Sequence, residues 1–342
     1  MAKPTIAAGY PRAFLDYAVS RGADRQVLLE RSGIRPEDIR EQYDRIPLTS
    51  YMDLLRAGIE LCREPALALQ FGETVRIVDI SIVALIGEAA ETPEELRRQT
   101  NRYARLDLDD GTTSDRIEMV RDQQGTWMKI AGQAYQDNVL LTESALARYI
   151  CGARAMFGAG KTFQGKPFPL AIRFTHAEPG YRDEYDRVFG VPLTFGSDMN
   201  AVQIDESMLP AKMPRTNRYV FGVLSERADA LLKELESSKT VRGRVEGMLL
   251  PILHTGDASM QLIADRLGQS RQTLFRKLKS EGTTFEKVLD EMRHRLALEY
   301  LKGKKVSVNQ VAYLVGFSDP AAFSRAFRRW TGTSPGTLRL KS

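Results

Sequence analysis

The sequence contains few of the residues that build disulfide frameworks and metal sites. It has two cysteines, Cys62 and Cys151, and three histidines, His176, His254 and His294, among 342 residues. Neither cysteine lies in a C-x-x-C pair, and the histidines are too far apart along the chain for a zinc-binding pattern. We therefore expect no disulfide framework and no metal site, which is typical of proteins of the cytoplasm.

Long hydrophobic runs are also missing from the sequence. The most apolar stretch, IVDISIVALIG at 77–87, is too short to span a bilayer and contains Asp79. The N-terminal residues MAKPTIAAGYPR lack the apolar core of a signal peptide. We expect a cytoplasmic protein without a membrane-spanning segment.

A complete phosphate-binding loop is missing as well. The string GAGKT at 158–162 matches the end of the motif, but Ala155 stands where its first glycine is required. The residues before it have helical spacing, and Pro167 prevents a helix from starting directly after it. We interpret the stretch as a helix end, capped by Gly158 and Gly160, with a loop beyond. Residues 1–235 also contain no catalytic constellation, so we expect neither an enzyme activity nor a cofactor.

The positive charge of the chain is concentrated at one end. Residues 242–342 contain 18 lysines and arginines against 9 acidic residues, whereas the residues before them contain 31 against 35. A basic segment on a mildly acidic body predicts a polyanionic partner for that segment alone. The alternative is a solvated basic surface without a partner.

The basic segment contains an internal repeat, which spans 260–284 and recurs at 308–334. The matching positions are Ala264, Gly268, Ser270, Leu274, Arg276 and Leu278 in the first copy and Ala312, Gly316, Ser318, Phe323, Arg325 and Phe327 in the second. Glycine suits a tight turn, and serine suits the N-cap of the helix that follows. In the second copy either Ser318 or Asp319 fits the N-cap. Each copy therefore predicts a helix-turn-helix unit whose second helix keeps a free polar side.

Residues 285–302, between the two copies, have the apolar spacing of a single helix. About 17 residues in such a helix would form a rod of roughly 25 Å. We expect this rod to place the units at 259–280 and 308–330 in successive major grooves of one duplex. Arg293, on the same helix, either remains a surface charge or braces the two units by pairing with Glu or Asp.

The C-terminal 241–342 segment resembles the DNA-binding domain of AraC/XylS-type transcription regulators. The resemblance is carried by SMQLIADRLGQSRQTLFRKLKSEGTTF, by MRHRLALEYL and by VAYLVGFSDPAAFSRAFRRWTGTSPGTLR. It implies a bacterial protein that binds double-stranded DNA through two helix-turn-helix units per chain. It also implies a homodimer, with RNA polymerase as a further partner. Phe275 departs from the family, because its position often carries a polar residue.

Twelve residues at or in the second helices of the two units are predicted to contact DNA. Arg276 and Arg325 either read guanine edges or hold phosphate. The others are Gln272 and Thr273 for base edges, Arg271, Lys277, Arg328 and Arg329 for phosphates, Ala321, Ala322 and Ser324 for thymine methyl groups, and Ser270 at the N-cap. For every basic residue the alternative is a solvated surface charge.

The first 209 residues show helical patterns, then strand-like stretches, which predicts an α+β domain with a small antiparallel sheet. Within it, 191–196 and 200–205 are interpreted as a hairpin. The strings at 45–73 and 173–205 resemble the sensor domain of an AraC-type subgroup that is named for arabinose binding. That resemblance implies a pocket for an effector of unknown identity. His176 and Tyr181 would line it, unless they are ordinary strand-end and turn residues.

The chain is thus expected to contain three parts. They are an α+β effector-sensing and dimerisation domain at 1–209, a connector at 210–240 with a helix at 228–237, and an all-α DNA-binding domain at 241–342. This organisation predicts a sequence-specific transcription regulator that responds to a small molecule. The alternatives are an architectural DNA-binding protein without an effector and an enzyme with a DNA-binding tail.

Overall fold

The computed structural model of the chain describes residues 3–112, 114–156, 162–163, 165–213, 217–303 and 306–341. The chain divides into two compact units, Met1–Leu232 and Lys233–Ser342. Among the described residues, no helix is long and apolar enough to cross a membrane. The caps proposed at Gly158 and Gly160 lie outside the described residues.

The first unit mixes helices with small sheets, which confirms the α+β prediction. Its elements are β1 (Thr5–Ala7), α1 (Gly9–Ser20), α2 (Arg25–Ser32), β2 (Arg45–Pro47), α3 (Leu48–Cys62), α4 (Leu67–Thr74), α5 (Ile82–Glu88), α6 (Pro93–Asp107), β3 (Leu108–Asp109), β4 (Ile117–Asp122), β5 (Gly125–Ile130), α7 (Gln133–Asp137), α8 (Val139–Met156), β6 (Thr162–Phe163), β7 (Lys166–Pro167), β8 (Ala171–Arg173), α9 (Arg182–Phe189), β9 (Leu193–Thr194), β10 (Ala201–Ile204) and α10 (Arg218–Ser238). Helix α10 continues beyond Leu232 into the second unit.

Two sheets organise the first unit. Strands β2, β1 and β3 form an antiparallel sheet with β1 in the middle, and β4, β5, β10, β8 and β9 form a sheet in that order. Strand β10 pairs antiparallel with both β5 and β8, whereas β9 pairs in parallel with β8. The predicted hairpin of 191–196 and 200–205 is therefore wrong. Strand β8 lies between its two strands and takes the hydrogen bonds that a hairpin would have formed.

Helix α8 packs closely against α4 in the core of the first unit. A Cβ atom added at Gly72, on α4, would lie 2.4 Å from the Ser144 carbonyl oxygen and 2.9 Å from the Ala147 Cβ. Only glycine permits this approach, since neither neighbouring atom is the flexible end of a side chain. The close packing fixes the position of α8, which carries Arg148.

The connector helix is longer than the sequence indicated. The predicted helix at 228–237 is only the second half of α10, which begins at Arg218. The Asn217 side chain accepts a hydrogen bond from the Val220 amide at 3.1 Å, as expected of an N-cap residue. The early start was missed because the first turns expose apolar residues, including Tyr219 and Val223, and so lack an amphipathic pattern.

The second unit is entirely helical over its described residues, which confirms the all-α prediction. It contains α11 (Val241–Leu249), a short 3₁₀ helix (Leu250–Thr255), α12 (Met260–Arg266), α13 (Arg271–Ser280), α14 (Phe285–Gly303), α15 (Val308–Leu314), α16 (Pro320–Thr331) and α17 (Pro335–Lys341). Apolar residues from these helices form two clusters, and Leu296 of α14 packs against both. Helix α14 is therefore the shared support of the two repeated segments.

Candidate DNA-binding surface and ligand cavity

The first repeated segment folds as a helix-turn-helix unit because each of its boundaries has a local cause. The Ser259 hydroxyl accepts a hydrogen bond from the Leu262 amide at 3.2 Å and starts α12. Gly268 adopts the left-handed conformation, with φ of 62°, in the turn. The Ser270 hydroxyl accepts from the Thr273 amide at 3.2 Å and starts α13. Leu274 and Leu278 are fully buried, so the opposite side of α13 remains free.

The second segment repeats this construction with a stronger cap. Gly316 has a φ of 80° in the turn. The two carboxylate oxygens of Asp319 accept hydrogen bonds from the amides of Ala321 at 2.9 Å and Ala322 at 3.0 Å. Asp319 is therefore the N-cap of α16, not Ser318, and its negative charge also suits the helix N-terminus. Phe323 and Phe327 are fully buried, as expected.

All twelve residues predicted to contact DNA retain surface that solvent reaches. Nine are exposed, namely Ser270, Arg271, Gln272, Arg276, Lys277, Ala321, Arg325, Arg328 and Arg329, and three are half-buried, namely Thr273, Ala322 and Ser324. They lie at or in α13 and α16, which are the second helices of the two units. Their position leaves the predicted contacts physically accessible to DNA.

The basic side chains of this surface differ in how strongly they are held. Arg329 donates to the Asp290 carboxylate at 2.7 Å, and Lys277 donates to Gln269 Oε1 at 2.9 Å. Arg325 lies 3.9 Å from Asp319, and both side chains are more than half exposed, so this ion pair is weak. Arg276 makes no ion pair with a described residue. The two equivalent arginines, Arg276 and Arg325, are therefore free to bind a partner.

Arg293 braces the linker helix, α14, against the turn of the second helix-turn-helix unit. Its Nε donates to the Val315 carbonyl at 3.1 Å, and its Nη2 donates to the Gly316 carbonyl at 3.0 Å. Its guanidinium also lies over the Phe317 ring, 4.7 Å from the ring centroid. The expected pairing with Glu or Asp is wrong: Arg293 satisfies two backbone carbonyl groups of the turn. Burial lowers the pKa of Arg293 from its usual value.

The first unit contains a cavity of about 300 Å³ whose lining residues the sequence did not reveal. Much of its wall is apolar, with Ile6, Val83, Leu96, Ile117, Met128 and Leu141 among the lining residues. A cavity of this size lies at the lower end of the range for small-molecule sites. It draws on elements that are far apart in the chain, so no local pattern could have predicted it.

Polar side chains gather at one part of this cavity, where α1, α6 and α8 meet. Tyr10, Asp107 and Arg148 line it there. The Ser81 hydroxyl donates to Asp107 Oδ1 at 2.8 Å, and the Arg148 guanidinium lies over the Tyr10 ring, 4.9 Å from its centroid. Burial raises the pKa of Tyr10 well above its usual value, and the Asp107 charge raises it further. Burial likewise raises the pKa of Asp107. Titratable groups with shifted pKa values beside an apolar cavity make it a candidate binding site.

His176 and Tyr181, which were expected to line an effector pocket, do not border this cavity. They belong to a separate cluster around Glu143, a fully buried carboxyl group on α8. The Tyr181 hydroxyl donates to Glu143 Oε1 at 2.7 Å, and the Tyr185 hydroxyl donates to the same oxygen. The Tyr185 hydroxyl also lies 3.3 Å from His176 Nε2. This cluster joins α8 to α9.

The Glu143 cluster makes the stability of the first unit depend on pH. Burial raises the pKa of Glu143, and the tyrosine hydroxyls lower it only in part. Because the folded state then holds a proton that the unfolded chain has lost, the free energy of unfolding falls as pH rises from the ordinary value toward the raised one. The slope in that window is about 1.4 kcal/mol per pH unit.

We expect the Glu143→Gln variant to lack this dependence, since the amide does not titrate. Urea unfolding of both proteins at a series of pH values above 4.5 measures the difference. The Glu178→Gln variant, which changes an exposed carboxylate of the same unit, is the control. Parallel wild-type and Glu143→Gln curves across this range would contradict the assignment.

Two capped helix-turn-helix units on a common supporting helix define a DNA-binding protein, and comparison with known families agrees. Residues 22–213 match the family described as the arabinose-binding domain of AraC transcription regulator, N-term, and residues 263–341 match the family described as a helix-turn-helix domain. The chain therefore belongs to the AraC family of transcription regulators.

Two relatives and one solved structure are similar to the chain. The chain is 27% identical to the ornithine utilization regulator of Pseudomonas aeruginosa, over 98% of this chain and 96% of that protein. It is 29% identical to the HTH-type transcriptional regulator VirS of Mycobacterium tuberculosis, over 48% of each protein. The crystal structure of the transcriptional regulator CdpR from Pseudomonas aeruginosa aligns over 97% of this chain and 98% of that chain, with 22% identity and a TM-score of 0.42. The chain is a DNA-binding transcription regulator.

Proposed function

We propose that a small molecule in the cavity of the first unit controls how this regulator binds a specific operator. The cavity supports the proposal most directly, because a cleft with a mainly apolar wall and a few converging polar groups is the usual form of a small-molecule site. The proposal further includes a homodimer that acts in the bacterial cytoplasm and contacts RNA polymerase. These three features rest on the family to which the chain belongs.

Helix α6 is the element through which we propose that the ligand acts. Leu96, Thr100, Ala104 and Asp107 line the cavity from one face of α6. On an adjoining face, the Tyr103 hydroxyl donates to Asp229 Oδ1 at 2.9 Å, and Arg102 Nη2 donates to the same oxygen at 2.8 Å. Asp229 lies on α10, so one helix contacts both the cavity and the connector.

This arrangement gives the ligand a physical means of changing DNA binding. A ligand that shifts or rigidifies α6 changes the contacts that hold Asp229, and α10 continues from there to Ser238. The regulator would then exchange between states of different DNA affinity, and the ligand would favour one of them. The change in DNA-binding free energy that the ligand causes is limited by the difference in its own binding free energy between the two states.

On the DNA side, we propose that α13 and α16 enter two adjacent major grooves. Arg276 and Arg325 would read base edges, with Gln272 and Thr273 as further base contacts of the first helix-turn-helix unit. Arg271, Lys277, Arg328 and Arg329 would hold phosphates, while Ala321, Ala322 and Ser324 would approach thymine methyl groups and Ser270 would complete the cap. Their exposure supports this set.

DNA selection tests the proposal. The full-length protein is incubated with genomic fragments at about 150 mM salt, which weakens non-specific phosphate binding. We expect a motif of two blocks about one helical turn apart, of about 10 base pairs. Retention without an enriched motif would instead favour an architectural protein that coats DNA.

The recovered operator is then titrated with protein in the presence of a metabolite panel. L-Ornithine is included because the name of one relative concerns ornithine utilization. We expect one compound to change operator affinity in the wild type but not in an Asp229→Ala variant, which keeps the DNA-binding unit intact. A response that survives in Asp229→Ala would show that α6 and α10 are not the route.

A further inference from the structure

We infer that the ligand of this cavity is an organic acid, with one carboxylate on a mainly apolar body, and that the Arg148 guanidinium anchors the carboxylate. The inference rests on the proposed function, because it names the chemistry of the ligand that the proposal requires. Four features of the first unit carry it: the unused donors of Arg148, the pairing of the charged groups around them, the engagement of Asp107, and the apolar wall.

Arg148 is held in place but retains unused hydrogen-bond donors. Its side chain comes from α8, lines the cavity and is only 8% exposed. Among the described residues, it donates one hydrogen bond, from Nη1 to the Ser144 hydroxyl at 3.1 Å. A guanidinium has five N–H groups in a planar fork that fits a carboxylate. Since Arg148 is otherwise enclosed by protein, the cavity is where the remaining donors find a partner.

The charged groups around this part of the cavity are mostly paired within the protein. Four guanidinium groups, those of Arg45, Arg105, Arg116 and Arg148, face three carboxylates, those of Asp107, Asp109 and Asp110. Arg116 is paired with Asp110 at 3.0 Å, and Arg105 is paired with Asp109 at 3.4 Å. Arg148 forms no salt bridge with a described residue, so it is the guanidinium group with which a ligand carboxylate can still pair. Buried charges need such a partner.

Asp107 is less available to a ligand than Arg148 is. Both of its oxygens lie within hydrogen-bond distance of the Ser81 hydroxyl, at 2.8 Å and 3.1 Å. Arg148 and Arg45 also offset its charge. Arg45 itself is fixed by the Thr5 and Leu106 carbonyl oxygens, at 2.7 Å and 2.6 Å, so it belongs to the protein scaffold. An ammonium group would have to compete for Asp107, while a carboxylate meets unused donors.

The rest of the cavity selects the body of the ligand. Val83 on α5, Ile117 and Met128 on the larger sheet, and Leu141 on α8 present hydrocarbon to it. Each methylene group that a ligand places there contributes about 0.8 kcal/mol of transfer free energy to binding in general. A hydroxyl group of a polyhydroxylated sugar would lose its hydrogen bonds to water where it faced this apolar part of the wall. The cavity therefore fits an aliphatic or aromatic acid.

The test compares compounds that share a hydrocarbon chain and differ in the head group. Isothermal titration of the full-length protein uses butanoate, octanoate, dodecanoate and phenylacetate, with 1-octanol, octylamine and L-ornithine as contrasts. We expect at least one of the four acids to bind, and to bind more tightly than 1-octanol and octylamine. If none of the acids binds more tightly than these contrasts, the inference is overturned.

Substitutions then locate the anchor. The Arg148→Met variant keeps the hydrocarbon bulk and removes the donors, so its affinity for the acid should fall by about 10- to 100-fold. Its affinity for 1-octanol should stay within a factor of three. Arg148→Lys should recover part of the loss, since it keeps the charge without the fork. Arg98→Met, an exposed position on α6, is the matched control and should bind as the wild type does.

A second variant guards against misfolding of Arg148→Met. Ala84→Leu adds bulk at a half-buried lining position and should weaken the acid and 1-octanol alike, with an unchanged circular dichroism spectrum. Equal binding of acid by wild type, Arg148→Met and Ala84→Leu would overturn the inference.

Operator titration separates the two proposals. If L-ornithine or octylamine changes operator affinity and the acids do not, effector control stands and the acid assignment falls. If an acid binds through Arg148 without changing operator affinity, the reverse holds.

Discussion

Replacing Gly316 by alanine is expected to destabilise the second helix-turn-helix unit by about 3 kcal/mol or more, whereas Gly268→Ala should cost only about 1–2 kcal/mol. The two glycines occupy the same place in the repeat, and both have positive φ values, 80° and 62°. Both substitutions therefore incur the cost of a left-handed conformation. The difference in stability between the two variants comes from the surroundings of each glycine.

A Cβ atom at Gly316 would lie 2.2 Å from the Leu253 carbonyl oxygen, while nothing lies within 4 Å of one at Gly268. The Leu253 oxygen belongs to the 3₁₀ helix that precedes the first helix-turn-helix unit, so it moves only if that backbone moves. The same turn also provides the carbonyl groups that Arg293 binds. Alanine at position 316 therefore disturbs the contacts that support both helix-turn-helix units.

Hydrogen exchange of the full-length protein measures this difference. Peptides from α15 and α16 should lose protection in Gly316→Ala far more than peptides from α12 and α13 do in Gly268→Ala. Operator binding should be lost in the first variant near its lowered transition temperature and retained in the second. Equal loss of protection in the two variants would show that contact with Leu253 does not govern the turn.

Arg325→Ala is expected to weaken operator binding by about 1–3 kcal/mol, a factor of about 10 to 100, and to relax specificity at one base position. Arg325 follows Ala321 and Ala322, whose small side chains let the start of α16 approach the bases closely. Its side chain is 74% exposed and only weakly paired with Asp319. Little protein structure is therefore lost when it is removed.

Arg276→Ala in the first helix-turn-helix unit is the parallel experiment, and Arg295→Ala is the charge control. Arg295 lies on α14 and faces Glu246 at 3.7 Å, so its removal lowers the net charge without changing either recognition helix. Binding of each variant to operator and to single-base variants of it distinguishes the roles. A uniform loss on all sequences, with a salt dependence reduced by about one phosphate contact, would assign Arg325 to the backbone instead.

The helix-turn-helix units could be predicted because their determinants are local. A turn glycine, a capping residue and two apolar residues one helical turn apart occur within about fifteen residues and then recur. The N-cap at Asp319 was among the predicted options for the same reason. The role of Arg293 was predicted only in part, because backbone carbonyl groups have no signature in a sequence.

The lining residues of the cavity could not be predicted, because its polar groups come from distant parts of the chain. Tyr10, Asp107 and Arg148 meet only after three helices have packed. The three-stranded sheet of β2, β1 and β3 is equally non-local. Its strands have only two or three residues, which is too few to show an alternating pattern. The same reason explains the wrong hairpin, since the partner of β10 at that edge, β8, is separated from it by a helix and by β9.

The second helices of the two helix-turn-helix units differ, and under the proposed function this gives the site that one chain reads a direction. Helix α13 carries exposed Phe275 and Lys277, whereas α16 carries alanines in its first turn and two arginines near its end. A sequence read by two different helices has distinct left and right halves. Inverting such a site beside a promoter would exchange the edge that faces the transcription start, so orientation and position both become part of the signal that the DNA encodes.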